Sequence, residues 1–165
     1  MNKRIFFLLL MLATGASSNA QSKVTTYILL RHAEKSDDGT KDPDLSEAGK
    51  QRADHLVSVL RKAKVSAIYS TAFRRTCGTV TPLAKNKAVT IQDYDASKLD
   101  DVLTASKNYR GSVIVICGHS NTTPALLNLL VGSNEYKAFD DGDYGKLIIV
   151  SVAEGAPPKI DWKTF

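Results

Sequence analysis

The chain is poor in the residues that build metal and redox centres: 165 residues hold only two cysteines and three histidines. Zinc takes three or four ligands at characteristic spacings, and no carboxylate or thiol cluster supplements the histidines, so a metal centre is not expected. Two cysteines permit at most one disulfide. Cys117 lies in the apolar run "SVIVICGHS", where a buried cysteine serves as a small hydrophobe, so Cys77 and Cys117 are expected to be free thiols. There is no basic run interleaved with aromatics, no coiled-coil heptad and no internal repeat. Nucleic-acid binding, a coiled coil and a solenoid are therefore without support.

The N-terminus reads as a targeting segment. Lys3 and Arg4 precede an apolar run from Ile5 to Ala13, and Ser18-Asn19-Ala20 supplies the small residues of a cleavage site. Residues 1–20 are thus a signal peptide, with cleavage expected after Ala20 and a periplasmic or secreted mature protein. The apolar run falls short of the about 20 residues of a membrane span, so none is expected after cleavage. Losing Lys3 and Arg4 lowers the net charge from +5 to about +3, too little to imply nucleic acid. Residues 21–165 suit one compact domain.

Strand and helix patterns alternate through that domain. "VTTYILL" (24–30), "VSAIYS" (65–70), "AVTIQDY" (88–94) and "SVIVIC" (112–117) read as strands, with "KLIIVSV" and "KIDWKTF" closing the chain. Ser46 is positioned as an N-cap with Glu47 in the first turn, and Ala53, Leu56, Val57 and Leu60 mark a helix over about 46–62. Further helices are expected from about Phe73 to Ala84, beside Leu99, Val102 and Leu103, and through "TPALLNLLVG" with Gly132 at its end. Such alternation implies an α/β domain: a mostly parallel central sheet flanked by helices in three layers.

In open parallel sheets ligands bind at the carboxyl ends of the strands. Here the first strand ends in Arg31-His32, the second in "STAFRRT" (70–76) and the fourth in "GHSNT" (118–122). Their convergence makes a compact cationic pocket suited to an anion. Arginine forks match phosphate oxygens, and surrounding positive charge favours the neutral imidazole that can attack phosphorus. That composition suits covalent phosphoryl transfer through a phosphohistidine.

"LLRHAEK", "LSEAGKQRA", "IYSTAFRRTCGTVTPLA" and "GHSNTTPALL", in that order, resemble the histidine phosphatase superfamily, phosphoglycerate mutase-like branch. The resemblance implies a nucleophilic His32 flanked by Arg31, a second phosphate arginine from the middle motif, and His119 as a further phosphoryl ligand and proton source. The family spacing of arginine to a threonine four residues on selects Arg75, before Thr79, and leaves Arg74 at the rim. Many relatives carry a proton-donating carboxylate after the third strand. In "DYDAS" that is Asp95, with Asp93 behind it, and a plain solvated loop aspartate is the competing reading. Glu34 could orient the leaving group, and Asn121 either caps the following helix or lines the pocket. His55 reads as surface filling, and "KSDDGTKDPD" as a loop that could close over substrate.

The expected activity is metal-free and cofactor-free hydrolysis of a phosphomonoester through phosphohistidine on His32. The substrate is a small phosphorylated molecule or, given export, a phosphorylated envelope component. A non-catalytic phosphate- or phosphosugar-binding module would keep the arginines without turnover. A mutase-type phosphotransferase is disfavoured by the short chain and by export from the site of glycolysis. Compact relatives include phosphohistidine protein phosphatases, whose usual partners are cytoplasmic.

Overall fold

The structure is a computed structural model that describes residues 23–165; the expected signal peptide lies outside the described residues. A six-stranded sheet has the order β3-β2-β4-β1-β5-β6. Its strands are β1 (Thr25–Arg31), β2 (Val65–Ser70), β3 (Ile91–Asp93), β4 (Val113–Gly118), β5 (Lys146–Val152) and β6 (Lys159–Thr164). β3, β2, β4 and β1 run parallel, whereas β5 and β6 pair antiparallel. The sheet is mostly parallel, as expected, and among the described residues no helix is long and apolar enough to cross a membrane.

Alternation along β1 divides the core in two. Ile28 and Leu30 pack with Leu56, Val80 and Leu83 from α1 (Glu47–Val59) and α2 (Arg74–Lys87). Tyr27 and Leu29 point to the other face, with Val102, Leu126 and Leu127 from α3 (Leu99–Ser106) and α4 (Thr122–Val131). Successive side chains of a strand face opposite sides, so a strand buried on both faces reads as a continuous apolar run. The central strands β1, β2 and β4 show this pattern.

Two elements differ from expectation. The third strand spans three residues rather than seven because α2 continues to Lys87 and ends on Ala88, in the left-handed region at φ 53°. The first helix ends at Val59, with Leu60 donating to the Leu56 carbonyl as its C-cap. Its start is as expected, since the Ser46 Oγ accepts from the Gly49 N–H at 3.1 Å. Gly49 is required for packing: a Cβ there would overlap the main-chain carbonyl of Glu34, two residues past His32. The first turn of α1 is in this way seated against the segment that carries the β1 terminus.

Candidate active site

Register brings the strand ends together. β1 and β4 pair with Arg31 opposite Gly118, and β2 and β4 with Ser70 opposite Cys117. The next residues, His32, His119 and Thr71, therefore leave one edge of the sheet side by side. The His32 N–H donates to the Gly118 carbonyl at 2.9 Å, extending the ladder by one step. The His32 and His119 rings meet edge to face, with centroids 5.5 Å apart.

Each ring is held by neighbours that the apolar pattern does not announce. Nδ1 of His32 lies 2.8 Å from the Ala33 carbonyl oxygen. A carbonyl only accepts, so Nδ1 carries the proton and Nε2 presents its lone pair. Ala33 is itself fixed by its N–H donating to Thr79 Oγ1 at 2.8 Å, while that hydroxyl donates to the Arg75 carbonyl at 2.8 Å. Nε2 of His119 contacts Thr71 Oγ1 at 3.0 Å, which contacts Thr76 Oγ1 at 2.9 Å. Thr76 Oγ1 also donates to the carbonyls of Thr71 and Phe73, each at 2.8 Å, so the Thr71 hydroxyl donates to Thr76 and accepts from the Nε2–H of His119. The His119 N–H donates to Thr122 Oγ1 at 2.8 Å at the start of α4.

The two arginines frame the pair. Arg31 is 5 % exposed, stacks over Tyr144 at 4.2 Å, and donates Nη1 to the carbonyls of Asp140 and Asp143 at 2.8 and 3.0 Å. Its Nε is buried without a hydrogen-bond partner. Arg75 stacks over Phe73 at 4.4 Å, and Phe73 packs edge-on against His119 at 5.1 Å. Among the described residues its carboxylate contact is Asp42, 3.4 Å from Nη1. Arg74, by contrast, points outward to an ion pair with Asp44.

Burial comes first in lowering His32 from 6.5 to about 4, with Arg31, Arg75 and His119 adding to it and the Ala33 carbonyl opposing. Burial again leads for His119, also about 4, followed by Arg75 and Arg31, against Asp42. Charging an imidazole here would remove it from water and set it beside guanidinium groups. Both rings are therefore neutral at neutral pH.

The structure brings Arg31, His32, Arg75 and His119 together but not the two expected carboxylates. Glu34 is taken by Arg52, whose Nε lies 3.0 and 2.9 Å from its two carboxylate oxygens; this pairing holds the Glu34 carboxyl low. The same arginine donates Nη1 to the Phe165 carbonyl at 2.5 Å, tying the turn after His32 to α1 and the C-terminus. Glu34 is thus engaged with Arg52, with Arg31 adding a smaller attraction. Asp95 accepts from the Ser97 N–H and hydroxyl at 2.9 and 2.7 Å. Those bonds hold its carboxyl below the ordinary range, which suits a turn and opposes service as an acid. Asn121 is exposed and makes no side-chain cap bond, so the capping role is not seen.

His55 is exposed, and Cys77 and Cys117 are free thiols, the latter buried. Thr71, Asp42 and Tyr144 belong to the site although sequence reasoning did not single them out. The "KSDDGTKDPD" stretch is an ordered loop, with Ser36 N–H donating to the Asp44 carbonyl at 2.8 Å and Asp42 accepting from the Arg74 N–H at 3.0 Å. No group of three or more His, Cys, Asp or Glu that could hold a metal ion occurs among the described residues.

Strand-end histidines and arginines on a mostly parallel three-layer α/β domain define the histidine phosphatase fold. Residues 27–98 match the family model for the histidine phosphatase superfamily (branch 1). That segment carries β1 through β3, and the described residues beyond it continue the same sheet and helices. Among solved structures it is similar to the protein histidine phosphatase SixA complexed with tungstate (TM-score 0.69, 14% identity, 84% of this chain and 96% of that one). It is also similar to a mycobacterial glucosyl-3-phosphoglycerate phosphatase (TM-score 0.67, 16% identity, 86% and 98%). A third is the Entamoeba histolytica phosphoserine phosphatase in complex with 3-phosphoglyceric acid (TM-score 0.65, 17% identity, 86% and 98%). No curated protein sequence matches the chain.

The histidine environment has a pH signature. Both folded values lie below the unfolded value, so the stability these neutral rings contribute is present above about pH 6.5 and lost as pH falls toward 4. In a ring-proton NMR titration, His32 and His119 should show midpoints near 4; midpoints at 6.5 would contradict the buried cationic setting.

Proposed function

We propose that the protein is a phosphatase that hydrolyses a phosphomonoester through a phosphohistidine on Nε2 of His32. The observation that carries this reading is the buried, unpartnered Nε of Arg31 beside two neutral imidazoles. A buried donor without an acceptor costs about 1–3 kcal/mol, a cost that a bound oxyanion would offset. Arg31 and Arg75 then neutralise the equatorial oxygens, as donors aimed at developing charge do. His119 sits across from the nucleophile and can take a proton once an oxyanion arrives, because a nearby negative charge raises an imidazole pKa.

In the first half-reaction His32 attacks phosphorus and the alcohol leaves. In the second, water attacks the phosphohistidine and phosphate departs with His32 restored. The relatives named above include phosphatases of glucosyl-3-phosphoglycerate and phosphoserine, in keeping with a small phosphorylated substrate. Lys3, Arg4, the apolar run from Ile5 to Ala13 and Ser18-Asn19-Ala20 form a targeting pattern that supports export. The proposed setting is accordingly the periplasm or the exterior, where a phosphorylated glycan or lipid headgroup is within reach.

His32→Ala should abolish phosphate release from p-nitrophenyl phosphate with the circular dichroism spectrum unchanged, and Arg75→Ala should cost about 10²–10³-fold in kcat. Full turnover by His32→Ala would refute the mechanism. A ligand-induced rise in Tm without phosphate release from any ester would instead identify a binding module. Export is checked by N-terminal sequencing of the mature protein, which should begin at Gln21; an intact Met1 end would contradict it.

A further inference from the structure

Neither carboxylate expected from the sequence is free to serve the departing oxygen, since Glu34 and Asp95 are engaged elsewhere. Of the other carboxylates near the arginines, Asp44 pairs with Arg74 and Asp143 with Lys146 at 2.7 Å, while Asp140 offers Arg31 its main-chain carbonyl and keeps its side chain exposed. Asp42 differs. Its Oδ1 lies 3.4 Å from Nη1 of Arg75 and accepts from the Arg74 N–H at 3.0 Å. Its side chain is 40 % exposed, whereas Arg31 and His32 are each 5 % exposed. The nucleophile and Arg31 are thus buried, whereas Asp42 reaches solvent beside Arg75. Its negative charge opposes the lowering of the His119 pKa by burial and the two arginines.

We propose that Asp42, in the loop between β1 and α1, is the proton donor to the leaving group, a role that rests on the phosphatase reading above. As His32 Nε2 forms its bond to phosphorus, the ester P–O bond breaks and the leaving oxygen takes the proton of the Asp42 carboxylic acid. The alcohol departs, leaving a carboxylate and an N-phosphoryl imidazolium. Water then attacks phosphorus, Asp42 accepts one water proton, the P–N bond breaks, and hydrogen phosphate leaves with His32 neutral. Capture of Arg75 by the substrate's phosphoryl oxygens frees the Asp42 carboxylate from its loose 3.4 Å pair, and the carboxylate takes up from solvent the proton that it then donates. The Arg74 N–H keeps it in place.

Asp42 also caps α2, whose N-cap residue Phe73 offers no side-chain bond. Asp42→Asn keeps an oxygen for that cap and removes the transferable proton. A donor matters little for an activated ester and greatly for an alkyl ester, and general acid catalysis contributes about 10²–10⁴-fold. Asp42→Asn should therefore lose under about fivefold in kcat/KM with p-nitrophenyl phosphate and over about 100-fold with a simple alkyl phosphate. Equal losses across the two esters, no loss with either, or an unaltered protein inert toward the alkyl ester would overturn the assignment. Failure of the phosphatase reading is distinct, since the unaltered protein would then hydrolyse neither ester. Should the variant fold poorly, the unaltered protein still decides. A proton in flight gives a larger normal solvent deuterium isotope effect on kcat/KM for the alkyl ester than for the aryl ester, and equal effects exclude the donor.

Discussion

The site depends on one register. Pairing Arg31 with Gly118, and Ser70 with Cys117, makes three parallel strands end within one residue of each other. A slip of one residue in either ladder would turn every side chain of the slipped strand to the opposite face. It would also separate the histidine rings that now meet at 5.5 Å. The two-sided core enforces the register, because Ile28 and Leu30 fill one layer and Tyr27 and Leu29 the other. Catalytic geometry and hydrophobic burial are thus one constraint. The chemistry is attached to the ends of the strands that the core cannot let slide.

Given that edge, the electrostatics follow. Two guanidiniums and two imidazoles share a buried volume with little negative charge inside it, so the titratable members give up their protons. The permanent charges are quenched only partly. Arg31 spends Nη1 on two main-chain carbonyls and has the π face of Tyr144 against it, yet retains an unpartnered Nε. Arg75 has an aromatic face and a distant carboxylate. The pocket is organised for an anion that it does not itself supply.

The apolar runs and their Gly and polar boundaries made the sheet, the helix caps at Ser46 and Gly132 and the strand-end placement of Arg31, His32, Arg75 and His119 legible before any coordinates. What could not be read is what depends on contacts distant along the chain. Arg52 reaches Glu34 from 18 residues away and Asp42 reaches the Arg74 N–H from 32. The Thr71–Thr76 hydrogen bond needs the loop geometry after β2. Asp95 is another matter, because Asp followed two residues later by Ser is a local Asx-turn pattern. Its bonds to Ser97 were available from spacing alone, and the family expectation of an acid in that loop obscured them.

The central claim is that two neutral imidazoles and two arginines enclose one phosphoryl group, with Nε2 of His32 forming the bond. Rapid quenching of the protein during turnover of a ³²P-labelled ester, into base, tests it most directly. The account predicts an adduct stable to alkali and labile to acid, at His32 and bonded through Nε2. An adduct on another residue, or catalytic turnover with no covalent label at any quench time, would contradict it.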